Sequence, residues 1–136
     1  MATSKVLYKG DLRTELTHIL SNNLVLTDAP LDNNGKGQAF SPTDLMSTSL
    51  ASCIFTIMGI YAQRENIDLS NSSANVTKIM SNEGPRRVVK IKIDFVFPAN
   101  NYSEKHKKAL IQCAKTCPVA LSLHPDIEQV ISFEFL

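Results

Sequence analysis

Along KVLYKGDLRTELTHIL, residues 5–20, apolar and polar positions alternate. Leu12, Leu16 and the methyl of Thr14 fall on one side, and Arg13, Glu15 and Thr17 on the other. A period of two predicts extended chain, with a turn near Gly10. NLVLTDAP predicts a further short strand ended by Pro30, and the Asn, Asp and Gly of LDNNGKGQAF predict a loop. At Ser41 the pattern changes. Ser41 is a candidate N-cap, Pro42 occupies the first helical position, and Asp44 sits three residues after the cap as in a capping box. The helix that begins there runs about 24 residues to Asn66, or roughly 36 Å. Its middle, LASCIFTIMGIYA, carries no charge on any face. A surface helix would show a polar stripe, so this one is expected to be buried all round.

The clearest hairpin comes next: ANVTKIM and VVKIKIDFVF flank a turn at NEGPRR. In its second arm Val89, Ile91, Ile93, Phe95 and Phe97 alternate with Val88, Lys90, Lys92, Asp94 and Val96, as in a strand with one buried face. NYSEKHKKALIQCAKT predicts a second helix with Ser103 as its cap, and Pro118 must break or restart that helix. EQVISFEFL alternates Ile131, Phe133 and Phe135 against Ser132 and Glu134, a closing strand. Strands, long helix, hairpin, shorter helices and strand make an α+β order rather than a regular strand–helix alternation. A uniformly apolar helix of that length is hard for one chain of 136 residues to cover, which points to a homodimer.

Composition narrows the functional classes. The chain is sized for one domain, residues 1–136, with 43% apolar and 20% charged residues. A net charge of +1 gives no single-sign field to draw nucleic acid or an anionic membrane. The N-terminus lacks the apolar core of a signal peptide, and no window is expected to approach the ~20 apolar residues of a membrane span. The expected location is the cytoplasm. There a reducing environment favours thiol or redox roles for the three cysteines over structural disulfides.

Each cysteine has a bland and a chemical reading. Cys113 and Cys117 are four apart, but His18, His106 and His124 show none of the spacing of a zinc site, so no metal is expected. Cys113, on the apolar side of its helix, reads as packing. Cys117 precedes a proline that can start a new helix, so it is a possible N-cap, where the helix dipole would favour a thiolate. Cys53 is either inert packing in the helix core or a nucleophile that needs a cation, because burial alone raises a thiol's pKa. The candidate cations are Arg13, Lys36, Arg64, Arg86 and Arg87; Arg64 lies ~16 Å of helix rise away.

FSPTDLMSTSLASCIFTIMGIYA, with Ser-Pro opening a long helix and ASC in its middle, followed by AKTCPVALSL, resembles the OsmC/Ohr family of thiol-dependent peroxidases. The TDAP, DNNGKG and FSPTDL stretches are most similar to its OsmC-like branch. The resemblance implies an α+β fold, an antiparallel sheet with a long buried central helix, in an intertwined homodimer. It implies that Cys53 attacks an organic hydroperoxide and that Cys117 condenses with the resulting sulfenic acid. A dithiol reductant such as a lipoylated protein then reduces the disulfide, in a role of oxidative or osmotic stress protection without a cofactor. Family peroxidases place a glutamate ten residues before the helix cysteine to hold an arginine against the thiolate. Here that position is Thr43. The resemblance transfers the cation to Arg13 and the carboxylate to the adjacent Asp44. A non-enzymatic dimer that binds a small apolar ligand, or a thiol redox sensor, is the competing expectation. A thiol hydrolase is disfavoured because no histidine lies in either cysteine motif.

Overall fold

The computed structural model describes all 136 residues, which divide into two compact units, Met1–Met46 and Ser47–Leu136. The first unit is an antiparallel meander of β1 (Ser4–Gly10), β2 (Arg13–His18) and β3 (Leu24–Asp28). Gly10, Asp11 and Leu12 all take positive φ, which makes the tight β1–β2 turn. The register sets Leu16 opposite both Val6 and Val25, but burial does not alternate along these strands: β1 is exposed up to Gly10 and β2 is half-buried on both faces up to His18. Arg13 is set directly opposite Asp28. Beyond β3 the chain loops out and returns: Asp28 N–H donates to Phe40 O at 3.1 Å, and Gly37 N–H to Ala29 O at 3.1 Å. Gly35 passes so close to Ala29 that a Cβ there would stand 1.8 Å from its carbonyl oxygen.

Helix α1 (Pro42–Arg64) starts with the expected capping box. Ser41 Oγ accepts from Asp44 N–H, and Ser41 N–H donates to an Asp44 carboxylate oxygen, both at 3.0 Å. Two expectations about this helix are corrected. First, it is not buried all round: Ser47, Leu50, Ala51, Ile54, Met58 and Ala62 form one buried stripe at three- and four-residue spacing. Ser49, Ser52, Thr56 and Ile60 on another face are exposed. One chain covers one face, and the remainder is uncharged rather than inside. Second, α1 is long and apolar enough to cross a membrane by length and composition alone, with an 18-residue window of mean hydropathy 1.6. Small serines and threonines scattered among Ile, Leu and Met hide that total from a count of unbroken apolar runs.

The second unit continues with β4 (Ser73–Met80), β5 (Val88–Phe97), α2 (Glu104–Thr116), α3 (Pro118–Ser122) and β6 (Glu128–Phe135). β4 pairs antiparallel with β5, whereas β6 pairs parallel to β5, so this sheet is mixed and not antiparallel throughout. The physical reason is the connection: α2 and α3 carry the chain back to the starting end of β5, a crossover that only a parallel neighbour needs. Ile91, Ile93, Phe95 and Phe97 are buried as the alternation predicts. A register shift opposite Ile79 and Met80 breaks it at the strand start, where Val88 is buried in place of Val89. Phe55 of α1 meets Phe95 edge-on at 4.8 Å. Phe95 stacks on Phe133 and Phe97 on Phe135, with ring centroids 5.6 and 4.7 Å apart. These contacts fix α1 over the β5–β6 face, and each buried phenylalanine contributes roughly 1.5–3 kcal/mol of transfer free energy.

Candidate active site

Cys53 and Cys117 are brought together. Cys53 lies mid-α1, half-buried, one turn from Leu50 and Ile57, and Cys117 is fully buried between α2 and α3. Pro118 explains the second placement: it cannot donate to α2, so α2 ends and α3 begins with proline at its first position and Cys117 as its N-cap. The Cys117 sulfur accepts from Ala120 N–H at 3.3 Å, and the Cys53 thiol lies close enough to act on its ionisation. No disulfide joins the two cysteines.

The electrostatics of Cys117 run against the expectation of a dipole-stabilised thiolate. Burial pushes its pKa up, and the neighbouring Cys53 thiol pushes the same way; the N–H groups of Ala120 and Val119 oppose the shift without reversing it. A helix of five residues offers too little aligned dipole to offset the loss of water around a buried sulfur. Cys117 is thus held as a neutral thiol.

Cys113 faces elsewhere. Its thiol donates to Ala109 O at 3.3 Å, and burial raises its pKa while the charge of Arg64 partly opposes this. Arg64, weighed as a partner for Cys53, therefore acts on Cys113. No group of three or more His, Cys, Asp or Glu side chains is arranged to hold a metal ion.

In the first unit, Arg13 is gripped by a carboxylate that the sequence reading did not single out. Arg13 Nε donates to Asp28 Oδ1 at 2.7 Å and Nη2 to Oδ2 at 2.8 Å, while Nη2 also donates to Gln38 Oε1 at 3.0 Å. Asp28 is fully buried and takes a third donor, the Gln38 N–H, at 3.1 Å. Its pKa is lowered chiefly by the Arg13 hydrogen bonds, and that of Arg13 is raised by the same contact. Asp44, expected as the arginine's partner, turns its carboxylate to the backbone of Ser41. The signal for Asp28 was present in the sequence: counting the meander back from its turn puts Asp28 opposite Arg13.

Comparison with known proteins agrees with this architecture. Residues 35–131 match the family model described as OsmC-like protein. The chain belongs to the OsmC-like family. A solved structure from Psychrobacter arcticus 273-4, named provisionally as an osmotic stress induced and detoxification response protein, is 51% identical. It superposes with a TM-score of 0.93 over 98% of this chain and 96% of that one. An OsmC-like protein of Mycoplasma pneumoniae shares the fold at 17% identity and TM-score 0.79, over 98% and 95% of the two chains. So does an organic hydroperoxide resistance protein OsmC of Legionella pneumophila, at 16% identity and TM-score 0.71, over 98% of each. No curated protein matches the chain.

Proposed function

We propose that this protein is a cysteine-based peroxidase that reduces organic hydroperoxides in stress protection. The observation that carries the reading is that Cys53 of α1 and Cys117 at the α2–α3 junction are neighbours, close enough for one thiol to act on the ionisation of the other. In the first step the Cys53 thiolate attacks the distal peroxide oxygen. The O–O bond breaks, the alkoxide takes a proton and leaves as alcohol, and Cys53 becomes a sulfenic acid. Cys117 then attacks that sulfur, and the hydroxyl leaves with the thiol proton as water, which forms the Cys53–Cys117 disulfide. A dithiol, such as a protein-bound dihydrolipoamide, reduces the disulfide and is itself oxidised to a disulfide.

Burial of Cys117 and its raised pKa disfavour its own attack on peroxide, and it gives up its proton to the departing hydroxyl as it closes on the Cys53 sulfenic acid. The apolar neighbours Leu50, Phe55 and Ile57 favour an organic over an inorganic hydroperoxide. The likeness to family peroxidases makes Arg13, held by Asp28, the candidate activating cation. Asp44 serves chiefly as the cap that fixes the start of α1. The proposed assembly is a homodimer, supported by the exposed uncharged face of α1 at Ser49, Ser52, Thr56 and Ile60 and by exposed Val6, Tyr8, Leu24 and Val25 on the first sheet. The proposed location is the reducing cytoplasm, where such a disulfide is transient.

A second reading, a non-enzymatic binder of a small apolar ligand, is favoured by one feature. A cleft of about 470 Å³ opens beside α2, α3 and β6, lined by Ile111, Ala114, Leu121, Ile131 and Phe133, with Lys115 among its walls. Intact-mass analysis after one equivalent of cumene hydroperoxide separates the two. The peroxidase reading expects a product lighter by two hydrogens, cross-linked between Cys53 and Cys117; an unchanged mass supports the binder.

A further inference from the structure

The cleft of about 470 Å³ is built entirely from the second unit, and its parts differ in rigidity. β6 supplies Gln129, Ile131 and Phe133, alternate residues on one face of the strand, and Phe133 is held by its stack on Phe95 at 5.6 Å. Facing them is α3, a wall of only five residues tied down through Ala120. The Ala120 N–H donates to the Cys117 sulfur at 3.3 Å, and its carbonyl accepts from Gln129 Nε2 at 3.2 Å. Leu121 is 72% exposed and Ile111 is 37% exposed. Apolar side chains left in water around a concavity of this size are the mark of a binding surface.

Charge selects the class of ligand. Lys115, exposed in the last turn of α2, is the one charged residue of the lining, and no carboxylate lines the cleft to neutralise it. Its ammonium is a point charge on a flexible stem, and the stem itself can lie along apolar surface. A ligand with one negative charge and a hydrocarbon body satisfies both features. A dianion would bring a second charge against hydrocarbon with no partner, and a cation would meet Lys115 head on.

We infer that the α2–α3–β6 cleft binds a singly charged anionic amphiphile, a monocarboxylate with a medium-length hydrocarbon chain. Its head pairs with Lys115, and its chain covers Ile111, Leu121, Ile131 and Phe133. The inference rests on the cleft being a ligand site, as in the second reading. It holds with or without peroxidase activity, since neither Cys53 nor Cys117 lines the cleft.

The test is isothermal titration of octanoate, 1-octanol and octyltrimethylammonium into the wild-type protein, Lys115→Met, Leu121→Ser and Cys53→Ser. Wild type is expected to bind octanoate roughly two- to fivefold more tightly than octanol, the scale of one exposed ion pair, and to bind the ammonium most weakly. Lys115→Met should erase the difference between octanoate and octanol. Leu121→Ser should weaken both alike, and Cys53→Ser should bind as wild type does. Equal affinity of wild type for octanoate and octanol would leave the cleft as an apolar site and overturn the anionic class. No binding of any probe, or loss of binding in Cys53→Ser, would overturn the cleft as the site. Light scattering of Leu121→Ser excludes the remaining occupant: a dimer that this substitution converts to monomer would mean that a second copy covers the cleft, and the inference would be wrong.

Discussion

The two sheets of this protein are equal in strand number and opposite in what they bury. In β4–β5–β6 the interior is hydrocarbon: Ile91, Ile93, Phe95 and Phe97 are at most 1% exposed, and the phenylalanines stack across strands onto Phe133 and Phe135. In β1–β2–β3 the fully buried side chain is charged. Asp28 sits under Arg13, beside the short hydroxyl pair of Thr14 and Thr27, while Tyr8 and Leu24 remain about 60% exposed. A sheet that covers an ion pair and leaves its apolar side chains in water is not built for its own stability. Breaking such a buried pair is costly, but an intact one is weak evidence of net stabilisation. The first sheet closes on a buried ion pair, and the second closes on an aromatic core.

Substitutions that treat the two sheets alike should therefore behave differently. Phe95→Ala is expected to destabilise by about 3–5 kcal/mol in a urea titration, as loss of a fully packed aromatic does. Val25→Ala on the first sheet should stay within about 0.5 kcal/mol in the monomer. An equal loss at both positions would mean that the first sheet has a core of its own. Next in size is the assembly: Thr56→Glu, on the exposed face of α1, is expected to convert a dimer of twice 15.0 kDa to monomer in light scattering. An unchanged mass would place the interface elsewhere.

The acid limb of stability distinguishes the sheets more gently. The pKa of Asp28 is lowered in the folded state by its hydrogen bonds to Arg13, so the unfolded chain binds the extra proton. The contribution of Asp28 is present above its unfolded value, about 3.9, and is lost as pH falls through the lowered folded value. Asp28→Asn should flatten that part of the acid unfolding curve. A slope identical to wild type would mean that the pair contributes nothing to folding. The smallest effect expected is at the cap: Ser41→Ala should cost about 1 kcal/mol, with no loss of thiol reactivity beyond that of destabilisation.

The helices and the second sheet were largely legible because local rules agree there. Ser41–Pro42–Asp44 starts α1, Ser103 caps α2, and Pro118 places Cys117 at a cap. The alternation of β5 names its core except at Val88, where the register shift intervenes. Less was legible where the outcome depends on a balance of terms. For Cys117 the position at the N-cap was foreseen, but burial outweighs the dipole of so short a helix. The partner of Arg13 was missed for a different reason. Spacing along the helix points to Thr43 and Asp44, whereas the contact is made across a strand register, between residues 15 apart in sequence. The parallel placement of β6 depends on how α2 and α3 return the chain, which periodicity does not encode. The exposed face of α1 looked buried because an uncharged face is equally compatible with core and with a surface awaiting a second copy.

The central claim is that two neighbouring cysteines, Cys53 as nucleophile and Cys117 as resolving thiol, turn over an organic hydroperoxide. Its most direct test is consumption of cumene hydroperoxide by the purified protein with excess dihydrolipoamide, compared with Cys53→Ser, Cys117→Ser, Cys113→Ser and the Cys53→Ser/Cys117→Ser double variant. The account predicts steady turnover by wild type and Cys113→Ser, none by Cys53→Ser, and at most a single turnover before over-oxidation in Cys117→Ser. Wild-type consumption no faster than that of the double variant would contradict it.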